Sequence, residues 1–237
     1  MTRTGTDADD ISRDTDIGGE PTDRPPVSRT ALYAVVGLML AALLAFGAAV
    51  VVLANRHTSQ AIPLPTTVDV GFARDMTTHH LQAIQMAGIA RDRTEDPAVK
   101  ELAFDVETSQ QEQVGEMTGW LGIWGLSLNN PDPPMVWMGS MAAEHPLQPD
   151  GRMPGMAGPA EVNQLKTLPP AQMDVLFLQL LIRHHQGGLP MLDYAQLHAA
   201  TPTVANLAHK AAAAQTLEIG NMKQMLTARG AAPLPTG

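Results

Sequence analysis

The sequence predicts an all-α protein in which one transmembrane helix precedes a four-helix bundle made of two repeated helical hairpins. Three observations carry that prediction. The adjacent histidines His79-His80 recur as His184-His185, and the surrounding residues recur with them at a constant offset of 105. The 237 residues are 44% hydrophobic but only 4% aromatic, so a core has to be built from Ala, Leu, Val and Met, a composition that favours helix. No stretch has the two-residue alternation of a strand, whereas residues 31–54 carry no charge over 24 positions.

The elements follow in chain order. Residues 1–30 are rich in Asp, Thr, Gly and Pro and hold almost no large apolar side chains, which predicts a disordered cytoplasmic tail. Residues 31–54, as a helix rising about 1.5 Å per residue, reach roughly 36 Å, enough to cross a bilayer. A cleaved signal peptide is the alternative, but its apolar stretch usually has about 7–15 residues and lies closer to the N-terminus. Arg24 and Arg29 precede the segment and Arg56 follows it, a weak bias that puts the N-terminus in the cytoplasm and the C-terminal domain outside. Pro63 and Pro65 suit an extended tether over residues 55–66.

The bundle is expected over 67–230, as repeat 1 (67–122), a Met-rich linker (123–168) and repeat 2 (169–230), with a tail at 231–237. Laying 69–121 over 174–226 needs no gap and pairs Asp69 with Asp174, Phe72 with Phe177, Met86 with Met191, Pro97 with Pro202, Gln110 with Gln215 and Met117 with Met222. Asp96-Pro97 and Thr201-Pro202 each put a capping residue directly before a proline, the arrangement of an N-cap and first helical position. Phe72, Met76, Ala83, Met86 and Ala90 recur at spacings of three and four, which marks one face of the helix before it. Arg229-Gly230 stops the last helix. Two hairpins bury their apolar stripes most simply as a bundle with approximate two-fold symmetry.

Several functions are disfavoured at once. A formal charge of −9 without a run of Lys or Arg argues against nucleic acid as a partner. With no cysteine there is neither a disulfide nor a thiolate site, so soft-metal chemistry has to come from Met and His. The chain lacks the Glu-x-x-His pairs of a di-iron bundle and the His-Glu-x-x-His of a zinc hydrolase, and no Ser stands beside a plausible base.

The histidines remain. On a helix His79 shares a face with Met76 and Met86, and His80 is turned by about 100° from it. In the second unit His184 lies seven residues from Met191; on the companion helices Gln110 and Met117, then Gln215 and Met222, are again seven apart. Imidazoles and thioethers converging from paired helices suit copper, with thioether selecting Cu(I) and imidazole accepting Cu(I) or Cu(II). A His-His pair also fits a hydrogen-bonded core couple, and a Met on an apolar stripe fits core filler. Gln110, Gln215 and Glu218 are expected behind the ligands, hydrogen-bonded to the rings. In the linker Met135, Met138, Met141, Met153, Met156 and His145 form a second concentration of soft donors, which also fits a plug at the bundle end together with Trp120, Trp124 and Trp137.

The phrases FARDMTTHHLQAIQMA and ELAFDVETSQQEQVGEMTGWL, followed by MPGM and FLQLLIRHHQGGLPM, resemble the pattern of the bacterial family called domain of unknown function 305, over roughly residues 66–228. Members are similar in fold to ferritin-like four-helix bundles, are commonly exported, and include a periplasmic copper-binding protein. The resemblance implies copper handling, with His79, His80, Met86, Met117, His184, His185, Met191 and Met222 at the motif positions. This sequence departs from the usual Gln-x-x-Glu in its first unit, which reads Gln110 and Gln113 against Gln215 and Glu218. Gly187, Gly188 and Pro190 are expected to interrupt the third bundle helix, opening a pocket or fitting close packing.

The resulting expectation is a single-pass membrane protein whose extracytoplasmic domain binds copper, to sequester it or pass it to a protein partner, and is not an enzyme. A homo-oligomer is compatible with it. The competing expectation is a structural or interaction module with incidental metal binding.

Overall fold

The structure, a computed structural model, describes residues 28–58, 64–130 and 132–235; the expected N-terminal tail up to residue 27 and much of the tether, residues 59–63, lie outside the described residues. Among the described residues there are seven α-helices and one 3-10 turn, without a strand. The chain divides into two units, Met1–Ala61 and Ile62–Gly237.

The first unit contributes α1, Arg29–Thr58, so four residues expected in the tether are helical instead. Its Arg29–Leu53 portion has a mean hydropathy of 2.7 and is apolar on every side, with Leu38, Leu44 and Phe46 all exposed. That is the pattern of a helix solvated by lipid rather than by water. By length and composition α1 can cross a membrane, a property that anchors and signal sequences share.

The second unit holds four long helices: α2 (Thr67–Arg93), α3 (Pro97–Ile123), α6 (Pro170–His198) and α7 (Pro202–Ala228). Two short helices, α4 (Met141–Glu144) and α5 (Pro159–Thr167), lie in the segment expected as linker. Local chemistry sets the boundaries. Asp96 accepts from the Ala98 amide at 2.9 Å, with Pro97 opening α3 where a missing N–H costs nothing. Asp69 takes the Thr66 amide at 2.8 Å and closes the start of α2. Gly230, at φ +66, follows the Arg229 cap of α7.

α2 packs along α3, α6 along α7, and the two hairpins meet through α2 and α6. Asp69 joins the hairpins at one end, accepting from the Thr201 amide at 2.9 Å, the Thr201 hydroxyl at 2.6 Å and the Ala200 amide at 3.2 Å. This Thr66 end gathers the start of α2, the end of α3, the end of α6 and the start of α7. At the opposite, Thr94 end, Arg93 donates to the Leu168 carbonyl at 2.8 Å and Arg229 pairs with Asp96.

The core falls into two apolar clusters. One, toward the Thr94 end, contains Met86, Met173, Phe177, Leu181 and Met222. The other, toward the Thr66 end, is far richer in sulfur, with Met76, Met117, Met135, Met138, Met153, Met156 and Met191 around Phe72 and Trp137. Contrary to the expected interruption, α6 runs unbroken through Pro190. The glycines before it serve close packing: a Cβ at Gly187 would stand 2.1 Å from the Pro154 carbonyl oxygen, so only glycine lets the linker backbone lie on α6 there.

Candidate metal centre

His79 and His80 on α2 and His184 and His185 on α6 are all fully buried. Because α2 and α6 are the pair through which the hairpins meet, their histidines form a layer: the His79 and His184 rings stack with centroids 3.8 Å apart and planes at 34°, and those of His184 and His185 are 6.2 Å apart. Gly188 makes the space, since a Cβ there would come within 3.0 Å of the His79 ring and 3.4 Å of the Gln215 side-chain oxygen.

Hydrogen-bond partners fix the tautomers. His184 Nε2 faces the His79 carbonyl oxygen at 3.0 Å, His185 Nε2 faces the Glu218 carboxylate at 2.6 Å, and His80 Nε2 faces the Gln113 amide oxygen at 2.7 Å. Each of those oxygens accepts, so each Nε2 carries the proton and donates, leaving a lone pair on Nδ1. The Nδ1 atoms of His80, His184 and His185 are buried with no hydrogen-bond partner, as are both ring nitrogens of His79. The side-chain oxygens of Gln110 and Gln215 are likewise buried and unpartnered.

Burial keeps His79, His80 and His184 unprotonated. Desolvation pushes the His79 pKa down to about 3, reinforced by the neighbouring charge of His80; the Pro154 carbonyl opposes the shift but lies outside hydrogen-bonding geometry. Desolvation also lowers His80 to about 4 against the stabilising Gln113 bond, and it lowers His184 well below the usual imidazole value, with His79 adding to the effect. Neutral imidazole is the form that binds metal.

The five helix methionines named from sequence are buried, but they are divided: Met76, Met117 and Met191 sit in the sulfur-rich cluster, Met86 and Met222 in the other. Of the linker donors, Met138, Met153 and Met156 are buried in the sulfur-rich cluster and Met141 packs against it; Met138 neighbours Trp137, whereas Met153 and Met156 flank Pro154 and Gly155, which lie on the middle of α6 at Arg183 and Gly187. His145 lines a cavity of about 190 Å³ with Pro154, Gly155, Arg183 and Gly187. Among the described residues no three His, Asp or Glu side chains stand together at metal-ligand spacing.

The ring partners agree only in part with those read off the sequence. Glu218 holds His185 as expected, but His80 is held by Gln113, one turn beyond the expected Gln110, and Gln110 and Gln215 have their side-chain oxygens buried without a partner. The signal was present, because Gln113 and Glu218 are themselves 105 residues apart. Asp75 was missed altogether: buried on α2, it accepts from the Met135 amide and from Trp137 Nε1, both at 2.7 Å, and ties the linker onto α2. Gly71 makes room for that linker, since a Cβ there would sit 2.3 Å from the Trp137 ring.

Helical hairpins closed over a layer of buried imidazoles define an all-α protein organised around a histidine core. The chain matches the model of the family described as domain of unknown function (DUF305) over residues 69–226, and it belongs to that family. The crystal structure of a DUF305 protein from Streptomyces coelicolor is 41% identical, with a TM-score of 0.64, over 71% of this chain and 97% of that one. A DUF305 fragment from Deinococcus radiodurans is 35% identical, with a TM-score of 0.58, over 70% of this chain and 99% of its own length. CopM in its Cu(II)-bound form shares the fold at 24% identity and a TM-score of 0.51, over 68% of this chain and 96% of CopM. An uncharacterized protein of Acanthamoeba polyphaga mimivirus is 40% identical over 53 residues, which is 22% of this chain and 35% of that protein, so the chain spans about a third of that relative.

Proposed function

We propose that the helical unit, read as a ferritin-like bundle of two related hairpins, is a non-catalytic copper-binding domain that sequesters the ion or passes it to a partner. In this reading α1 is a retained anchor and the unit lies outside the cytoplasm. The observation that carries it is the set of Nδ1 lone pairs on His80, His184 and His185, together with both nitrogens of His79, buried without any donor from the protein. Buried polar atoms are almost always satisfied, so such a set points to a ligand that supplies the missing bond. Chemistry favours a soft cation: imidazoles flanked by the thioethers of Met76, Met117 and Met191 on one side and of Met86 and Met222 on the other suit Cu(I), and imidazole also accepts Cu(II). Low-coordinate Cu(I) needs few imidazoles and takes sulfur for the rest. Gln113 and Glu218 orient the outer rings through their Nε2 protons, and the difference in charge between them makes the two halves of the layer unequal. CopM, which has been solved with Cu(I), Cu(II) and silver, lends the metal's identity by analogy of fold.

The test is titration of the purified chain with Cu(I) against a chromophoric chelator, and with Cu(II), for the unaltered protein and for a His79→Ala/His184→Ala variant and a Met117→Leu/Met191→Leu variant. Loss of tight binding in the first, and a selective weakening of Cu(I) in the second, supports the assignment. Unchanged binding in the histidine variant, or no tight binding at all, returns the protein to the structural-module reading.

A further inference from the structure

The two ends of the helical unit are chemically unlike. At the Thr94 end, residues 91–100 alone carry Arg91, Asp92, Arg93, Glu95, Asp96 and Lys100. At the Thr66 end, across residues 64–70, 120–139 and 197–203, Asp132 is the one exposed ionised side chain among the described residues, because Asp69 is buried. Large exposed apolar side chains are concentrated there instead: Leu64 (86% exposed), Ile123 (74%), Leu197 (75%) and Val136 (51%), with Leu126 and Leu128 beside them. Leu126 and Val136 also line a groove with Pro65, Val68 and Val70, whose polar side holds Asn130, Asp132 and Arg74, the last donating to the Ser127 carbonyl at 2.9 Å. The chain's three tryptophans are at this same end, with the rings of Trp120 and Trp124 6.4 Å apart and partly exposed.

Such an end is costly in water, and a soluble protein normally scatters its exposed apolar groups. Tryptophan and aliphatic side chains with little charge are the composition of a protein surface at the membrane interface. Connectivity selects that occupant over others. Thr58 closes α1 and Thr67 opens α2 at the Thr66 end, so eight residues intervene; fully extended at about 3.5 Å each, they span roughly 30 Å at most. The long helices are themselves about 40 Å in length at about 1.5 Å per residue. The end at which the chain enters the helical unit, eight residues after α1, is therefore the apolar one.

We infer that the Thr66 end is a lipid-docking surface: Ile123, Trp124, Leu126, Val136 and Leu197 enter the interfacial layer of the membrane, and the charged Thr94 end faces water. The inference rests on α1 being a retained anchor. Because the chain has no cysteine, single sites can be labelled cleanly. The full chain is reconstituted into phosphatidylcholine vesicles with an environment-sensitive fluorophore on Ile123→Cys, Leu197→Cys or, as the exposed control away from this end, Phe104→Cys. Spin-labelled lipid should quench the probes at 123 and 197 and leave the one at 104 unchanged. Adding Leu126→Glu and Val136→Glu should abolish the quenching at 123 while the helical signal in circular dichroism persists. An unquenched probe at 123 in a chain that resists alkaline extraction overturns docking and leaves the anchor standing. Release of the chain by alkaline carbonate overturns both. Shielding of position 123 by a second copy, seen as concentration-dependent cross-linking without lipid quenching, also overturns it.

Discussion

Acid should destabilise the metal-free helical unit at a pH above the ordinary carboxylate range. His79, His80 and His184 have folded-state pKa values of about 3, about 4 and well below the usual value, whereas each returns to about 6.5 in the unfolded chain. For groups depressed in this way the unfolded state binds the extra protons, so stability is intact above about pH 6.5 and falls as the pH drops toward the folded values. At pH 5 each histidine forfeits about 2 kcal/mol, at about 1.4 kcal/mol per pH unit below its unfolded pKa. Three together forfeit about 6 kcal/mol, against a total stability on the order of 5–15 kcal/mol for a domain. Asp75 and Asp174, raised by burial, work in the opposite sense because their protonated forms suit the folded state, so that figure is an upper one. Asp69 and Glu161 are lowered and lose their contribution only below their ordinary values of 3.8 and 4.5, outside this window. For a unit of this size each kcal/mol moves the melting temperature by roughly 2–4 °C, so a fall of up to about 12–24 °C is expected between pH 7.5 and pH 5. Near-ultraviolet circular dichroism of the tryptophans in chelator-treated protein reads it directly. A melting temperature unchanged within about 3 °C, or imidazole proton resonances titrating near pH 6.5 in the folded state, would refute the reasoning.

Other perturbations have equally definite outcomes. Gly187→Ala forces a Cβ to 2.1 Å from the Pro154 oxygen and should cost about 1–3 kcal/mol or more in chemical denaturation, whereas Gly188→Ala, whose nearest contact is a side-chain atom at 3.0 Å, should cost less. Asp75→Ala strands the Met135 amide and the Trp137 indole N–H and should cost about 2–4 kcal/mol, with a change in tryptophan emission. Asp69→Ala removes the acceptor that holds the Thr201 amide and hydroxyl, and hydrogen exchange should speed up at the first turn of α7 while the middle of that helix stays protected. Glu218→Gln keeps a hydrogen bond to His185 but removes the charge, so Cu(II) affinity should fall about 10–100-fold while the fold is retained, as measured by competition titration.

Much of this protein is legible in one dimension. Helix identity, the capped start at Asp96-Pro97, the start of α7 at Pro202, the stop at Arg229-Gly230 and the apolar α1 all depend on neighbours within a turn or on composition; the expected cap at Thr201 does not form, because its hydroxyl is taken by Asp69 of the other hairpin. The offset of 105 also marked the histidines and even linked Gln113 to Glu218 before either was seen beside a ring. Other features were settled only by packing. Helical spacing put Met76, His79 and Met86 on one face, but α6 crossing α2 at the histidines leaves Met76 in one cluster and Met86 in the other. Pro190, which breaks helices in isolation, is carried through because α6 is held from both sides, and Gly187 answers to a linker carbonyl from 33 residues earlier in the chain. Whether a ring nitrogen is free or bonded, charged or neutral, depends on atoms brought from distant segments and on the exclusion of water. Sequence fixes which groups exist and where each lies along its helix; desolvation and long-range contact, which belong to the assembled hairpins alone, decide what those groups can do.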